Sequence, residues 1–178
     1  MSLNWGNDHE QIITSFFSVD DADSVLGVCL RELENTSSKN TVTRCYCVFS
    51  ALDILSQMYA GKPGMRRSTK KMLAFYKKYM HVNEVTAEVL YQLRNAVMHN
   101  FGAFAVNPVK NQQYRFIYSD LGDKLFNKKS TVVYEVNTRE LLNRFDRAIQ
   151  QYQNDVLLSE VLQRRFYAVY RQTGTLMK

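Results

Sequence analysis

Long hydrophobic runs, a disulfide framework and the common catalytic loop motifs are all missing from this 178-residue chain. No apolar stretch approaches the ~18 residues that span a bilayer, and Met1–Gly6 lacks the basic start and apolar centre of a secretory signal. There is no Gly-rich phosphate loop, no H-E-x-x-H and no G-x-S-x-G. These absences predict a soluble, cytoplasmic protein without a membrane contact, and they disfavour P-loop enzymes, zinc proteases and serine hydrolases.

The three cysteines do not form a metal or disulfide pattern. Cys45 and Cys47 are two residues apart, so they fall on different faces of a helix, and Cys29 lies on a separate apolar stretch. A C-x-C pair without a second Cys or His pair is poor zinc spacing, and an odd count leaves no complete disulfide set. We therefore predict buried, reduced thiols, with no metal and no cofactor.

The chain is instead rich in apolar residues and carries an uneven charge. Hydrophobic residues make up 46% of the sequence and aromatic residues 12%, which argues against disorder and predicts one domain with a substantial core. The net charge is +6, but residues 1–35 hold seven acids and one base, whereas residues 61–80 hold seven bases and no acid. One surface is therefore expected to suit a polyanion such as RNA.

Hydrophobic periodicity predicts a mainly α-helical bundle of about five helices. Residues 41–59 are apolar around most of the helix circumference and are predicted to form the central helix, which ends at the Gly-Lys-Pro-Gly of 61–64. The acids of 20–23 begin a shorter helix that runs to about Glu34. Residues 1–19 fit either a short helix or a docking arm.

The segment 65–80 is predicted to be an amphipathic helix with one basic side, formed by Arg66, Arg67, Lys70, Lys71, Lys77 and Lys78. Two interpretations stay open for this side. It is either an ordinary solvated surface or a track for RNA phosphates, for which Lys and Arg supply sequence-independent affinity. The lack of acids in the segment favours the RNA track.

Beyond Gly102 the hydrophobic period changes from that of helices to that of strands. Residues 114–118 and 132–136 alternate in polarity, and we predict a β-hairpin over about 112–137, inserted before the last helix. An Asn-Thr-Arg-Glu capping box then opens a long C-terminal helix over 138–171. A helix of that length can break, and it can also pack against a second copy of the chain.

The candidate functional residues stand near the end of a helix that Asn83 is predicted to cap. Arg94, Asn95 and His99 place a guanidinium, a carboxamide and an imidazole within six residues. Asn95 and His99 are four apart and share a helix face, and the long Arg94 side chain can reach the same patch. Gly102 is a suitable terminator, which leaves His99 in the last turn, where the helix dipole favours an imidazolium.

An arginine beside a titratable imidazole, without evident metal ligands, suits metal-free cleavage of a phosphodiester. His99 would move the proton of the attacking hydroxyl, which is the ribose 2′-OH if the substrate is RNA. Arg94 would donate to the charge that develops on the phosphorane, and Asn95 would orient one of the two. The same spacing is also typical of a surface arginine beside a capping histidine, so this structural interpretation stays open.

Arg94-Asn95-Ala96-Val97-Met98-His99 resembles the signature of the HEPN superfamily, the small all-helical domains of many RNA-cleaving toxins and host-defence effectors. That signature is an arginine, a polar residue, about three variable residues and a histidine near the end of a late helix. The resemblance covers about residues 20–102 and hardly extends to 103–178. It implies a homodimer whose paired Arg/His motifs form one composite ribonuclease site.

Three functional hypotheses follow, and the resemblance favours the first. The first is a metal-independent endoribonuclease with Arg94 and His99 as catalytic residues. The second is a non-catalytic RNA- or nucleotide-binding module in which Arg94 binds phosphate. The third is an interaction or scaffold protein of a toxin–antitoxin or defence system, whose long last helix recruits an antitoxin or another protein partner.

Overall fold

The computed structural model describes residues 7–63 and 68–174, which form a mainly helical protein. The helices of this part of the chain are α1 (Asn7–Phe16), α2 (Val25–Asn35), α3 (Thr41–Ala60), α4 (Ser68–Tyr79), α5 (Glu84–Asn100), α6 (Thr138–Leu158) and α7 (Glu160–Thr173). The strands are β1 (Phe104–Asn107), β2 (Gln112–Ser119), β3 (Phe126–Lys128) and β4 (Val133–Asn137). The helical class is confirmed, but about five helices was too few, since the described residues already form seven.

Helix α3 lies at the centre of the bundle, where it packs against α2, α4, α5, α6 and α7. Val48, Phe49 and Leu52 expose no surface, as expected for a helix that is apolar on most sides. The helix ends at Gly61, whose φ of 65° is left-handed and therefore favours glycine. Asp53 is an exception among these core residues, because its carboxylate lies within the bundle with a side chain only 12% exposed.

The N-terminal and C-terminal segments both form helices, and only the C-terminal segment differs from its prediction. Of the two alternatives for the N-terminal segment, the helix is found, and the Phe16 ring of α1 lies 5.2 Å from the Phe166 ring of α7. The long C-terminal helix predicted over 138–171, for which a break was left open, is two helices, because Ser159 is extended at φ −123° and ψ 108° and separates α6 from α7. Its side chain accepts a hydrogen bond from the Leu162 N–H at 3.4 Å, and this N-cap starts the second helix.

The four strands form one sheet, and its pairing corrects the predicted hairpin. The two alternating segments, β2 and β4, are neighbours but run parallel, with Phe116 opposite Tyr134. The strand order is β1-β2-β4-β3, and the antiparallel pairs are β1 with β2 and β3 with β4. Parallel neighbours need a connection of roughly a dozen residues or more. Residues 120–132 supply it, by passing through β3 on the far side of β4 before the chain returns.

The sheet holds the end of α5 in place. Its inner face buries Ala105, Tyr114 and Phe116, and β1 and β2 both contact α5. The Tyr118 hydroxyl donates to the Gly102 carbonyl at 2.9 Å, just beyond the helix end. Gly102 has a φ of 79°, and a Cβ there would overlap that hydroxyl, so only glycine fits. The last turn of α5 is thereby fixed against the sheet.

Candidate functional site

The motif helix begins and ends through local contacts, most of which the sequence predicted. The Asn83 side chain accepts from the Thr86 N–H at 2.9 Å, so the predicted N-cap is confirmed. At the other end Phe101 takes the left-handed C-cap conformation with φ 51°, one residue before the predicted glycine. The Gly102 N–H then bonds the Ala96 carbonyl at 2.9 Å. His99 consequently lies in the last turn of α5.

Arg94, Asn95 and His99 meet on one side of that turn, as their spacing predicted. The Arg94 Nη1 donates to the Asn95 Oδ1 at 3.3 Å and lies 3.5 Å from the His99 Nε2. A guanidinium has only donors, so a hydrogen bond between these two groups requires that Nε2 be an acceptor. An unprotonated Nε2 is also the form that can take up a proton. Arg94 is buried, Asn95 is half-buried and His99 is exposed.

Asp53 is a fourth member of this cluster that motif spacing did not identify. Its Oδ2 accepts from Arg94 Nη2 at 2.5 Å and from Arg94 Nε at 3.2 Å, while its Oδ1 lies 3.3 Å from Nε. The two side chains are 7% and 12% exposed. A signal for Asp53 was present in the sequence, because a carboxylate on an otherwise apolar central helix needs a buried partner.

Burial and pairing, respectively, raise the pKa values of Asp53 and Arg94, the two members of the ion pair. Burial raises the pKa of Asp53 above its ordinary value, and the Arg94 guanidinium opposes that rise. Burial alone would lower the pKa of Arg94, but the hydrogen bond and charge of Asp53 outweigh it and the net pKa is raised. Asp53 therefore binds Nε and Nη2 and leaves Nη1 directed to Asn95 and His99. The pair has no net charge, so its main effect is to orient the guanidinium.

The basic side of α4 is more strongly neutralised than its sequence indicates. Lys77 lies 2.5 Å from Glu84 and Lys78 lies 3.0 Å from Asp155. Lys71 donates to the Lys62 carbonyl at 2.8 Å. Lys70 is exposed and forms no ion pair with a described residue. Of the other predicted RNA-binding residues, Arg66 and Arg67 lie outside the described residues, so the RNA track stays a prediction.

Comparison with protein-family models, with curated proteins and with solved structures found no match to this chain. Within residues 7–63 and 68–174, no group of three or more His, Cys, Asp or Glu side chains is arranged to hold a metal ion. No helix in the same part of the chain is long and apolar enough to cross a membrane. Function must therefore be inferred from the cluster formed by Asp53, Arg94, Asn95 and His99.

Proposed function

We propose that this protein is a metal-independent endoribonuclease of HEPN type. The observation that carries the proposal is the convergence at the end of α5, where Arg94 Nη1 lies within 3.5 Å of both Asn95 Oδ1 and His99 Nε2. A base and a positioned donor are two of the groups that cleavage through the ribose 2′-OH requires. Asp53 adds support, because it holds the guanidinium in the orientation that this arrangement needs.

The reaction is an internal transfer at phosphorus. His99 takes the proton of the 2′-OH, the 2′-oxygen bonds to phosphorus, and the bond from phosphorus to the 5′-oxygen breaks. The 5′-oxygen leaves with a proton, so the products carry a 2′,3′-cyclic phosphate and a 5′-hydroxyl. Arg94 Nη1 donates to the phosphorane oxygens, where negative charge is greatest in the transition state.

A homodimer is part of the proposal, as the HEPN resemblance implies. One Arg94–His99 pair supplies a base but no separate acid for the leaving 5′-oxygen, and a second copy of the motif would supply that acid. His99 is exposed, and so is Phe101 two residues further on, with 89% of its surface accessible. The motif is therefore open to a second chain. Light scattering at micromolar concentration should give twice the mass of 20.8 kDa.

The test is RNA cleavage in the presence of excess chelator. Wild-type protein should cut total cellular RNA and leave 2′,3′-cyclic phosphate ends, and His99→Ala should lower the rate roughly 10²–10⁴-fold. His81→Asn is the matched control, because His81 bonds Gln151 on α6 at 2.8 Å and has a φ of 50° that asparagine tolerates. Cleavage by His99→Ala at the wild-type rate would refute the role of His99.

A non-catalytic RNA-binding module is the second candidate, and one observation favours it. Asp53 offsets the charge of Arg94, so the guanidinium stabilises the charge of a phosphorane less than an unpaired one would, while it can still donate to a bound phosphate. This candidate predicts that RNA binding weakens steeply with salt and that neither wild type nor His99→Ala cleaves RNA. Binding should be measured with the same RNA by fluorescence anisotropy at low and high salt.

A further inference from the structure

A groove continues along α5 from the candidate site toward the start of the helix. Its floor consists of residues that recur at three- and four-residue steps on one side of α5: Glu84, Glu88, Tyr91 and Asn95. The beginning of α4, with Thr69 and Leu73, forms one wall, and the end of β1 with the turn that follows it, residues 106–110, forms the other. The groove encloses about 490 Å³, within the range of small-ligand sites.

Asn95 joins this groove to the catalytic cluster. It lines the groove, and its Oδ1 also accepts the hydrogen bond from Arg94 Nη1 at 3.3 Å. His99 lies one turn further along the same helix face. A nucleotide whose phosphate lies against Arg94 and His99 therefore has the groove as the nearest place for the rest of its structure.

The acids of the groove are already bound to partners. Glu88 accepts from Lys110 Nζ at 2.5 Å and from Asn107 Nδ2 at 3.1 Å, and Glu84 pairs with Lys77. They therefore repel an anionic ligand less than free carboxylates would.

The walls of the groove are mainly apolar. Apolar wall residues Leu73, Val106, Pro108 and Val109 lie beside the hydroxyls of Thr69 and Tyr91, which bond each other at 2.8 Å.

Gln92 carries the most specific signal in the groove. The residue lines the groove, is only 3% exposed, and its Oε1 has no hydrogen-bond partner among the described residues. A buried acceptor without a donor loses its hydration and gains nothing in return, so such groups are uncommon in folded proteins. The atom is closed to solvent, so an N–H group of a ligand would satisfy it once the Gln92 amide turns toward the groove. Apolar walls with a few fixed polar groups are typical of sites for a nucleobase.

We propose that this groove binds the base of the ribonucleotide next to the cleaved phosphate, and that Gln92 Oε1 accepts an N–H of that base. The position of the phosphate rests on the proposed ribonuclease function. Binding in the groove does not require cleavage, so the two proposals can fail separately.

The test uses the four ribonucleoside 3′-monophosphates as probes, measured by titration calorimetry and by amide NMR shifts. At least one should bind wild-type protein with a Kd near or below about 1 mM, and it should shift the amides of Tyr91, Asn95 and Asn107. Gln92→Met, which keeps the shape but removes the acceptor, should weaken binding at least about tenfold. Val85→Ala is the control on the same helix, since Val85 is exposed and does not line the groove.

Two further variants make the result decisive. Val106→Trp changes a half-exposed wall residue and should block the groove even if Gln92→Met disturbs folding. His99→Ala should still bind the nucleotide, more weakly because a phosphate contact is lost while the groove is intact, and should lose cleavage, which separates binding from cleavage. The proposal is overturned if no nucleotide binds, if inorganic phosphate alone reproduces the NMR shifts, or if binding survives both groove variants.

Discussion

The end of α5 and the basic side of α4 both carry charged side chains, but the Arg94–Asp53 pair is buried and the lysines of α4 are exposed. The Arg94 side chain is 7% exposed and contacts both oxygens of Asp53, whereas Lys77 and Lys78 are 44% and 42% exposed and form single contacts to carboxylates. A buried pair keeps its direction because separation would leave an uncompensated charge in the interior. Exposed pairs exchange with water and contribute roughly 0–1 kcal/mol each. Burial therefore fixes the orientation of a charged side chain, whereas an exposed charge only contributes to an electrostatic field that salt screens.

The largest expected effect comes from breaking the buried pair. Asp53→Ala should lower the free energy of unfolding by about 3–5 kcal/mol, because Arg94 would remain buried without a partner. Urea titration followed by circular dichroism measures the change. The double variant Asp53→Leu with Arg94→Met should be much closer to wild type in stability, since it removes both charges. A cost below about 1 kcal/mol for Asp53→Ala would mean that water reaches this pair as it reaches those of α4.

An intermediate effect is expected on the core-facing side of α4 at alkaline pH. Tyr79 exposes no surface and donates to Asp155 at 3.0 Å. Burial, helped by the Asp155 hydrogen bond and opposed by Lys78, raises the pKa of Tyr79 to about 12. In the unfolded chain the phenol has a pKa of about 10, so the unfolded state releases its proton first as pH rises. The contribution of Tyr79 is therefore complete below about pH 10 and is lost between about pH 10 and 12.

The size of this loss is up to roughly 2–3 kcal/mol, and urea titrations between pH 9 and 11.5 should detect it. Other buried tyrosines add to the decline, so the informative quantity is the difference between wild type and Tyr79→Phe. The variant should lose less stability over this interval. Parallel curves of unfolding free energy against pH for wild type and Tyr79→Phe would show that Tyr79 does not contribute to the alkaline loss of stability.

The smallest effects are expected at the exposed lysines themselves. Lys77→Gln should change the free energy of unfolding by less than about 1 kcal/mol, because its partner Glu84 is also exposed. If α4 contacts RNA, Lys70→Gln should reduce the slope of log K against log salt by about 0.7, since Lys70 has no described ion-pair partner. Lys77→Gln should reduce it less. Equal reductions would show that the Glu84 pair does not compete with RNA phosphate.

Periodicity was sufficient for α3 and α5, because α3 is buried on most sides and α5 buries positions at regular steps. The helix expected to begin with the acids of 20–23 begins later, at Val25, where Ser24 is the N-cap. Periodicity also placed the inward side chains of β2 and β4 correctly, with Tyr114, Phe116, Tyr134 and Val136 buried. It gave the wrong strand pairing, because alternation shows which side chains face the core but not which direction the neighbouring strand runs. A break in the long C-terminal helix was anticipated, but its position at Ser159 was not predicted, for a similar reason. A cap competes only weakly with helix continuation, and packing of α6 against α7 favours the break.

Local spacing by itself determined that Arg94, Asn95 and His99 share a patch at the end of a capped helix, because the pitch of a helix is a property of the backbone. Only the tertiary structure decided that Asp53, 41 positions earlier, holds the arginine, and that Glu84 and Asp155 neutralise two lysines of α4. Burial creates the need for these partners, and burial depends on how helices pack. The sequence determines which residues are charged, whereas the tertiary structure determines the partner and the orientation of each charged side chain.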